Sequence, residues 1–394
     1  MDPRKNPYAP GAGTPPPELA GRDDLIERAA IALDRIRAGR AARSLILHGL
    51  RGVGKTVLLN RMETDAEAGA FASVKVEAPE ERSLPALLIP ALRVALLRLD
   101  RGKRVRANLA KAGRALAGFA RALKVKYKDI EVSTDFEPER GLADSGDLDT
   151  DLTDLLASIG NAAHECRTAV VLFIDELQSV REDQLGSLIR ALHSASQRQL
   201  PITMLAAGLP QLIAQMGRAK SNAERLFEFV PIDRLDDKAA RAAIGVPAEK
   251  EGVAFAQEAI AEILRHTMGY PYFLQEWGRH AWNVADASPI SRADARRATT
   301  LALAELDAGF FRVRFDRLTP MEKRYLRAMA ELGPGPHRSG EIAERLGKSV
   351  TSVAPVRNEL IAKGMIYSPA HGDTAFTVPL FDGFMKRIMP KLPQ

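Results

Sequence analysis

Residues 49–56 constrain the fold of this chain more than any other segment, because they match the pattern Gly-x-x-x-x-Gly-Lys-[Ser/Thr] without a mismatch. The mostly apolar residues 44–48 before them predict a short buried strand, and residues 57–62 after them predict the start of a helix. A strand, a glycine-rich loop and a helix in this order point backbone N–H groups and a helix N-terminus at one place, which suits phosphate oxygens. A chance glycine-rich turn is the weaker interpretation, because the strand and the helix both lie where the motif needs them. The segment therefore predicts a site for a nucleoside triphosphate.

Each part of this phosphate loop has an expected role. The glycines let the backbone wrap closely, Lys55 reaches the β- and γ-phosphates, and Thr56 places its hydroxyl on Mg²⁺. The residues of this segment that we expect to contact the nucleotide are Gly49, Leu50, Arg51, Gly52, Val53, Gly54, Lys55, Thr56 and Val57.

Two acidic residues follow a second predicted strand. Residues 169–174 form an unbroken apolar run, typical of a strand buried on both faces of a parallel sheet, and Asp175 and Glu176 come directly after it. An acid in this place can hold Mg²⁺ through water, and the next can polarise the attacking water. We therefore expect Asp175 to hold the metal and Glu176 to act in hydrolysis. A simple helix start, where acids are also favoured, is the alternative.

The composition sets outer bounds on the class of protein. A chain of 394 residues should hold two or three domains, and 46% apolar with 27% charged residues is ordinary for a soluble globular protein. Its one cysteine, Cys166, allows no internal disulfide, which fits a reducing cytoplasm. The sequence has neither an apolar run of membrane-spanning length nor a signal-peptide pattern, so we expect a cytoplasmic protein with no membrane partner. The net charge of +6 is compatible with a polyanionic partner but does not establish one.

Predicted strands alternate with predicted helices, which indicates an α/β fold with a parallel sheet. The strands are expected near residues 44–48, 72–77, 169–174, 201–207 and 228–232. Four successive units are predicted: an extended N-terminal arm (1–20), a nucleotide-binding domain (21–235), a helical lid (236–312) and a C-terminal domain (313–394).

A basic insertion at about residues 100–150 interrupts the nucleotide-binding domain. Residues 101–128 contain ten lysines and arginines and no acid, and their apolar positions predict an amphipathic helix. Residues 125–136 then alternate as a strand would, and an acidic segment follows at 144–154. The helix could touch nucleic acid or another acidic surface. Alternatively, it is a packed helix whose charge is balanced by the acidic segment.

The C-terminal domain resembles a winged helix-turn-helix: a helix, a short helix, a turn, a second helix and a hairpin. In that fold the second helix of the pair enters the major groove of DNA. The candidate contacts to duplex DNA are Ser349, Thr351, Ser352, Arg357, Lys363 and His371. Winged helices also dock proteins, so a structural or protein-docking role stays open.

One arginine and one turn between these regions are further candidates. Arg225 lies just before the last predicted strand, where it could reach the γ-phosphate of a neighbouring subunit or form a surface ion pair. The turn Gly269-Tyr270-Pro271 begins a helix of the lid, and its tip is expected over the nucleotide.

Together, the phosphate loop, Asp175-Glu176, the box at residues 19–23 and the turn at 269–271 resemble an AAA+ ATPase. The most similar groups are the origin-recognition initiator ATPases and the signal-transduction ATPases with numerous domains (STAND). The resemblance implies a P-loop NTPase αβα domain with a helical lid, ATP and Mg²⁺ as ligands, and an adenine site. It implies further that Gly21, Arg22 and Tyr8 line the adenine, with Pro271 near the nucleotide.

Two departures from this family pattern concern the rate of hydrolysis. The strand at 202–208 ends without the usual polar sensor residue, and the lid has Gly-x-Pro where initiators carry an arginine sensor. Both favour a slow nucleotide switch over a motor.

Two functions from different classes fit these features. The first is an ATPase whose nucleotide state controls DNA binding through the C-terminal domain. The second is a STAND-like signalling switch with a protein partner, in which the C-terminal domain packs on the ATPase. Self-association would be needed for a third function, a ring-shaped motor.

Overall fold

The computed structural model describes residues 1–11, 13–78, 82–99, 107–124, 136–221 and 223–392. The N-terminal part of the chain forms a five-stranded parallel sheet with helices on both faces. Four helices follow it in the chain, and then a small unit with an antiparallel sheet. Among the described residues, no helix is both long enough and apolar enough to cross a membrane.

The parallel sheet confirms the predicted α/β class. Its strands are β1 (Ser44–His48), β2 (Ala72–Glu77), β3 (Val170–Asp175), β4 (Ile202–Gly208) and β5 (Phe227–Pro231). They lie in the order β2-β3-β4-β1-β5, and every neighbouring pair is parallel. Each lies within one residue of its predicted position. Parallel strands end at a common edge, so the segments after β1 and β3 meet there.

Helices cover both faces of this sheet because side chains alternate along each strand. Val171 and Phe173 of β3 face one hydrophobic core, whereas Leu172 and Ile174 face the other. The first layer consists of α1 (Asp23–Arg37) and α2 (Lys55–Ala68). The second consists of α3 (Leu84–Leu99), α4 (Ala107–Leu123), α5 (Leu148–Glu165), α6 (Glu182–Gln197), α7 (Leu212–Ala219) and α8 (Ala223–Leu226).

The described part of the basic insertion packs into the second layer. Leu116 and Phe119 of α4 are fully buried among α3 and α5, which confirms the predicted amphipathic helix. Its Arg114 pairs with Glu139 at 2.7 Å. Six of the ten basic residues, and all of the predicted strand at 125–136 except Phe136, lie outside the described residues. The burial of α4 favours the interpretation of a packed helix.

The helical lid consists of α9 (Asp237–Lys250), α10 (Gln257–Thr267), α11 (Pro271–Val284) and α12 (Arg292–Ala308). Trp277 and Trp282 lie in its core, and the Trp277 indole donates to the Thr299 hydroxyl at 2.9 Å. The start of the N-terminal arm packs on the lid: the Trp282 indole donates to the carbonyl of Asp2 at 2.9 Å. A short 3-10 turn, Pro3–Lys5, replaces the fully extended chain that the prolines predicted.

The C-terminal unit comprises α13 (Arg312–Asp316), α14 (Pro320–Leu332), β6 (His337–Arg338), α15 (Ser339–Arg345), α16 (Val350–Ala362), β7 (Ile366–Tyr367), β8 (Asp373–Phe376) and α17 (Phe381–Ile388). Its strands form an antiparallel sheet in the order β6-β8-β7. Helix α14 begins with Thr319 as its cap and Pro320 in the first turn. Helix α17, which the sequence analysis missed, packs against α14.

One hydrophobic core runs through both the lid and the C-terminal unit. The ring centroid of Phe311 lies 6.4 Å from that of Phe273 in the lid and 5.8 Å from that of Phe381 in α17. The lid and the C-terminal unit are therefore packed together, although the sequence analysis placed a domain boundary between them.

Candidate functional site

A cleft of about 630 Å³ opens at the carboxyl edge of the parallel sheet. The phosphate loop and the end of β3 form its floor, and the lid, the N-terminal arm and α13 enclose its sides. Its lining includes every phosphate-loop residue from Arg51 to Val57, the acids Asp175 and Glu176, Arg22 and Pro271. The structure thus brings most of the predicted nucleotide and metal residues into one cleft, whose volume suits a ligand of nucleotide size.

Two glycines give the phosphate loop its shape. Gly54, directly before α2, has a φ of +89°, in the left-handed region that glycine tolerates best. A Cβ on Gly49 would lie 2.0 Å from the carbonyl oxygen of Ile232, so only glycine fits there. The loop therefore has the tight turn and the close backbone approach that a phosphate cradle needs.

Lys55 is buried at the start of α2, with 7% of its surface exposed. Its ammonium donates to the carbonyl oxygens of Gly49 and Leu50, each at 2.9 Å. Burial lowers the pKa of Lys55 to about 8, although the charges of Glu176 and Asp175 oppose the shift. The loop thus holds a desolvated cation where a phosphate would stabilise the charge.

Thr56 and Asp175 form an oxygen pair that fits Mg²⁺. The Thr56 hydroxyl donates to the Asp175 carboxylate at 2.6 Å, so two hard oxygen ligands from α2 and β3 lie together. This is the donor chemistry that Mg²⁺ prefers beside phosphates, and both residues are those predicted to hold the metal.

Glu176 follows Asp175 in an uncommon backbone conformation, with a φ of +51°. Its carboxylate accepts a hydrogen bond from the Gln178 amide and lies 3.9 Å from the Arg51 guanidinium. A non-glycine residue in this conformation is strained, and such strain clusters at functional sites. The carboxylate is therefore held from both sides at the edge of the cleft.

Gln178 is a site residue that the sequence analysis missed. Its carbonyl oxygen accepts from the N–H of Leu209 at 2.9 Å, just beyond the end of β4, while its amide reaches Glu176. A Cβ on Gly208 would lie 2.7 Å from that carbonyl oxygen, so the glycine that ends β4 makes room for it. Gln178 thus places a polar side chain between the end of β4 and Glu176. Its signal in the sequence was a polar residue two positions after Glu176.

An aromatic and basic cluster closes the cleft above the phosphate loop. Tyr272 donates its N–H to the Gly52 carbonyl at 3.1 Å, and its ring stacks on Phe310 at 4.8 Å between centroids. The Arg314 guanidinium carbon in turn lies 4.0 Å from the Phe310 ring centroid. The sequence analysis did not predict these three residues, because no motif contains them.

The residues expected at the adenine meet different outcomes. Pro271 and Arg22 line the cleft, and the Arg22 guanidinium donates to the Asp233 carbonyl. Gly21, next to Arg22, packs against Ala239 of α9. The expectation for Tyr8 is corrected: it is 4% exposed in the lid core, and its hydroxyl donates to the carbonyl of Ile244. Several arm residues that follow it, among them Ala9, Thr14 and Leu19, line the cleft instead.

Arg225 lies at the opposite edge of the parallel sheet from the phosphate loop. It borders a separate cavity of about 360 Å³ beside Ser44 and Phe227, the first residues of β1 and β5. Arg225 therefore cannot contact a nucleotide in its own chain. Its predicted role as an arginine finger requires a second copy.

The six candidate DNA contacts fall into two groups. Ser349, Thr351, Ser352 and His371 are exposed. The Arg357 guanidinium donates to the Thr374 hydroxyl at 2.9 Å, the Ser368 hydroxyl at 3.0 Å and the Asp373 carbonyl at 2.9 Å. The Lys363 ammonium lies 2.8 Å from the buried carboxylate of Glu322. Both cations thus have partners within the C-terminal unit, while Lys363 is itself exposed.

The C-terminal unit also contacts the phosphate loop directly. The N–H of Arg51 donates to the carbonyl of Thr377, just after β8, at 2.9 Å. A Cβ on Gly364 would lie 3.3 Å from the Arg51 guanidinium and 3.2 Å from Leu209. Arg51 therefore lies between the phosphate loop, Glu176 and the C-terminal unit.

Comparison with known families gives two matches. Residues 18–206 match the model of an AAA ATPase domain, and residues 308–385 match the model of a domain of unknown function. No curated protein sequence matches the chain.

Solved structures are similar over nearly the whole chain. A Walker-type ATPase of Pyrococcus abyssi is similar over 95% of this chain and 97% of its own, with a TM-score of 0.62 and 13% identity. At this identity the likeness concerns the fold alone. The Orc1 protein of Aeropyrum pernix in complex with DNA has a TM-score of 0.48 and 16% identity over 94% of this chain and 93% of its own. The RuvB Holliday junction branch migration motor of Thermotoga maritima has a TM-score of 0.44 and 15% identity over 91% and 92%. The last two scores are too low to carry an inference.

Proposed function

We propose that this chain, which carries an AAA ATPase domain, binds ATP and hydrolyses it slowly with Mg²⁺, and that the bound nucleotide controls the C-terminal unit. One observation carries the proposal. The phosphate loop, the Thr56–Asp175 pair and Glu176 converge in a single cleft, and the C-terminal unit contacts that cleft through the hydrogen bond from Arg51 to Thr377.

The roles of the residues follow from their positions. The backbone N–H groups of the phosphate loop and the Lys55 ammonium bind phosphate oxygens. Thr56 and Asp175 would hold Mg²⁺, which when bound neutralises charge on the phosphates. Glu176 orients the attacking water and accepts its proton, and Gln178 positions the Glu176 carboxylate by its hydrogen bond.

The contacts of Glu176 support slow turnover. Its carboxylate is engaged by Gln178 and faces Arg51, and its backbone is in the left-handed region. Reorienting the carboxylate toward water requires at least one of these contacts to break. This agrees with the slow switch that the sequence departures favoured.

The C-terminal unit is, in this proposal, a winged helix that docks a protein. Arg357 and Lys363 already have partners within the unit, so a DNA phosphate would compete with those partners for them. The exposed side chains at the start of α16 include the apolar Val350, 47% exposed. An exposed apolar side chain of this kind suits a protein partner better than a DNA backbone.

Duplex DNA remains a second candidate partner, because Ser349, Thr351 and Ser352 are exposed at the N-terminus of α16. Hydroxyls and a helix N-terminus are groups that contact phosphates and base edges. A gel-shift assay at low salt with ATP and with ADP separates the two partners. Affinity for duplex DNA that depends on the nucleotide supports DNA, and no shift supports the protein partner.

Steady-state ATP hydrolysis by the full chain tests the enzymatic part. We expect slow turnover that requires Mg²⁺ and is lost in Glu176→Gln, while Glu176→Gln still binds ATP. Lys55→Ala should lose ATP binding itself. Turnover that persists in Glu176→Gln would contradict the role of this carboxylate. If random-sequence duplex DNA stimulates ATP hydrolysis, DNA is favoured over a protein as the partner.

A further inference from the structure

Arg314 enters the nucleotide cleft from outside the ATPase domain. It lies in α13, at the start of the C-terminal unit and within the segment that matches a domain of unknown function. Its side chain lines the cleft together with Arg51 and Glu176, whose charges both act on it. The inference below rests on the proposed binding of ATP in this cleft.

The Arg314 side chain is partly buried, and its partners are a carbonyl and an aromatic ring. It donates to the carbonyl of Phe310 and stacks on the Phe310 ring. Within the described ranges of the chain, no carboxylate forms an ion pair with it. A partly desolvated cation without a carboxylate is costly, and an anionic ligand would offset that cost.

The charges around Arg314 point to the same ligand. Burial and the positive charge of Arg51 lower the pKa of Arg314 to about 10, and the charge of Arg51 also lowers the pKa of Lys55. Four cations line this cleft, Arg22, Arg51, Lys55 and Arg314, and its acids are Glu18, Glu77, Asp175 and Glu176. A polyphosphate between the cations would relieve their mutual repulsion.

The position of Arg314 selects the terminal phosphate over the other parts of a nucleotide. Arg314 lies near Arg51 and Glu176, whose charges both act on it, whereas the arm, Leu235 and Ala243 line other parts of the cleft. Glu176 marks where the attacking water approaches the phosphate that is cleaved. Arg314 is therefore on the side of the cleft where ATP and ADP differ.

The same residues connect the cleft to the C-terminal unit. Arg314 stacks on Phe310, Phe310 on Tyr272, and Tyr272 donates its N–H to the phosphate loop. The unit makes a second contact through Thr377, which accepts from Arg51. A phosphate held by Arg314 would thus add a third connection between the C-terminal unit and the phosphate loop.

We propose that Arg314 binds the terminal phosphate of ATP within its own chain, and that the C-terminal unit thereby distinguishes ATP from ADP. This assigns a nucleotide-sensing role to the segment that matches the domain of unknown function. The arginine acts through binding, so its loss changes which nucleotide is preferred before any hydrolysis occurs.

Equilibrium titration of the full chain with ADP and with a non-hydrolysable ATP analogue tests the proposal. Arg314→Ala should weaken binding of the analogue about tenfold or more, the range for a lost charge-assisted hydrogen bond, and leave ADP within about twofold. Arg314→Lys should recover part of the preference. Arg317→Ala is the matched control, because Arg317 ends the same helix but is exposed and outside the cleft lining; it should bind both as wild type does.

Hydrogen exchange of residues 310–318 gives a second measurement that is independent of turnover. We expect stronger protection with the analogue than with ADP in the wild type, and no difference in Arg314→Ala. Equal weakening of both nucleotides, or no change in either, would overturn the proposal. If Arg314→Ala does not fold, the ratio of the two affinities in Arg314→Lys decides in the same way. Failure of the wild type to bind either nucleotide would instead refute the proposed ATPase.

Discussion

At the scale of single residues, the cost of burying charge explains much of this cleft. Lys55 is desolvated and held by two carbonyl oxygens, and Arg314 is partly buried on an aromatic ring. Such groups are poorly stabilised until an anion is bound. The cleft is therefore prepared for phosphate by the same contacts that make its nucleotide-free form electrostatically unfavourable.

The lowered pKa of Lys55 predicts proton uptake on binding ATP. With a pKa of about 8, most chains at pH 8.5 carry the neutral amine, whereas a bound triphosphate favours the ammonium form. We expect calorimetry in buffers of different ionisation enthalpy to show uptake of about 0.7 proton at pH 8.5, and less at pH 7.5. The affinity for ATP should fall as the pH rises above about 8. In Lys55→Arg the uptake should vanish, because arginine stays charged; equal uptake there would mean that another group titrates.

Lys363 is predicted to act in stability rather than in DNA contact. Burial raises the pKa of Glu322, but the hydrogen bonds from Lys363 and from the Thr319 main chain outweigh it, so the pKa lies below its usual value. A carboxyl whose pKa is lowered by folding stabilises the protein above its ordinary pKa and loses that effect as the pH falls. Lys363→Ala should therefore cost about 1 kcal/mol at pH 7, because solvent screens the partly exposed lysine, with a smaller loss near pH 4.

Urea unfolding at the two pH values measures this difference. The exposed Lys348, changed to alanine, is the control and should leave the free energy of unfolding almost unchanged. A deficit in Lys363→Ala that is equal at both pH values would show that the ion pair with Glu322 is not its cause.

At the scale of elements, packing fixes the N-terminal arm to the lid. Tyr8 lies against Gly278 in the middle of α11, where a Cβ would come within 2.6 Å of the Tyr8 ring. The amide of Asn6 donates to the carbonyl of Arg279 at 3.0 Å on the same helix. These contacts of Asn6 and Tyr8 with the lid therefore position the arm residues that follow them and line the cleft.

Gly278→Ala is expected to displace the arm. The added methyl cannot fit beside Tyr8, and overpacking of this kind costs about 1–3 kcal/mol. We expect a lower Tm and weaker ATP binding, because residues 9–20 lose their place along the cleft. Gly245→Ala in α9 is the control: the nearest atom to its Cβ is 3.7 Å away, so this change should be neutral or slightly stabilising. Full ATP affinity in Gly278→Ala would argue against a role of the arm in the nucleotide site.

At the scale of the whole molecule, the lid and the C-terminal unit form one packed body above the ATPase sheet. They share a hydrophobic core, and both contact the phosphate loop, the lid through Tyr272 and the C-terminal unit through Thr377. A change at the phosphates can therefore move this body as a unit. This arrangement supports the proposed function, in which the nucleotide controls the C-terminal unit.

The distant position of Arg225 predicts a dependence on self-association. Because Arg225 lies at the far edge of the sheet, Arg225→Ala should leave ATP and ADP affinity unchanged. It should lower hydrolysis only at protein concentrations where the chain self-associates. Turnover per chain, measured against concentration beside light scattering, tests this. A lower rate in dilute, monomeric Arg225→Ala would contradict an action across subunits.

Local patterns were enough to predict the sheet and the floor of the site. Each strand is a short apolar run whose burial on both faces leaves a plain signal, and all five lie within one residue of their predicted bounds. The phosphate loop, Asp175 and Glu176 follow two of these strands directly. Since parallel strands share a carboxyl edge, sequence position alone brings them to one place.

What only the tertiary structure decided concerns side chains that meet across distant parts of the chain. Tyr8 lies in the lid core and not at the expected adenine site. Lys363 forms an ion pair with Glu322, and the Gln178 side chain accepts a hydrogen bond at the end of β4. Arg314 reaches the cleft only because the shared core of the lid and the C-terminal unit places α13 beside the phosphate loop. The sequence by itself determined the phosphate loop and the acids at the end of β3, because their geometry is local. The parts of the cleft formed by the arm, the lid and α13 depend on packing between elements, which no short pattern encodes.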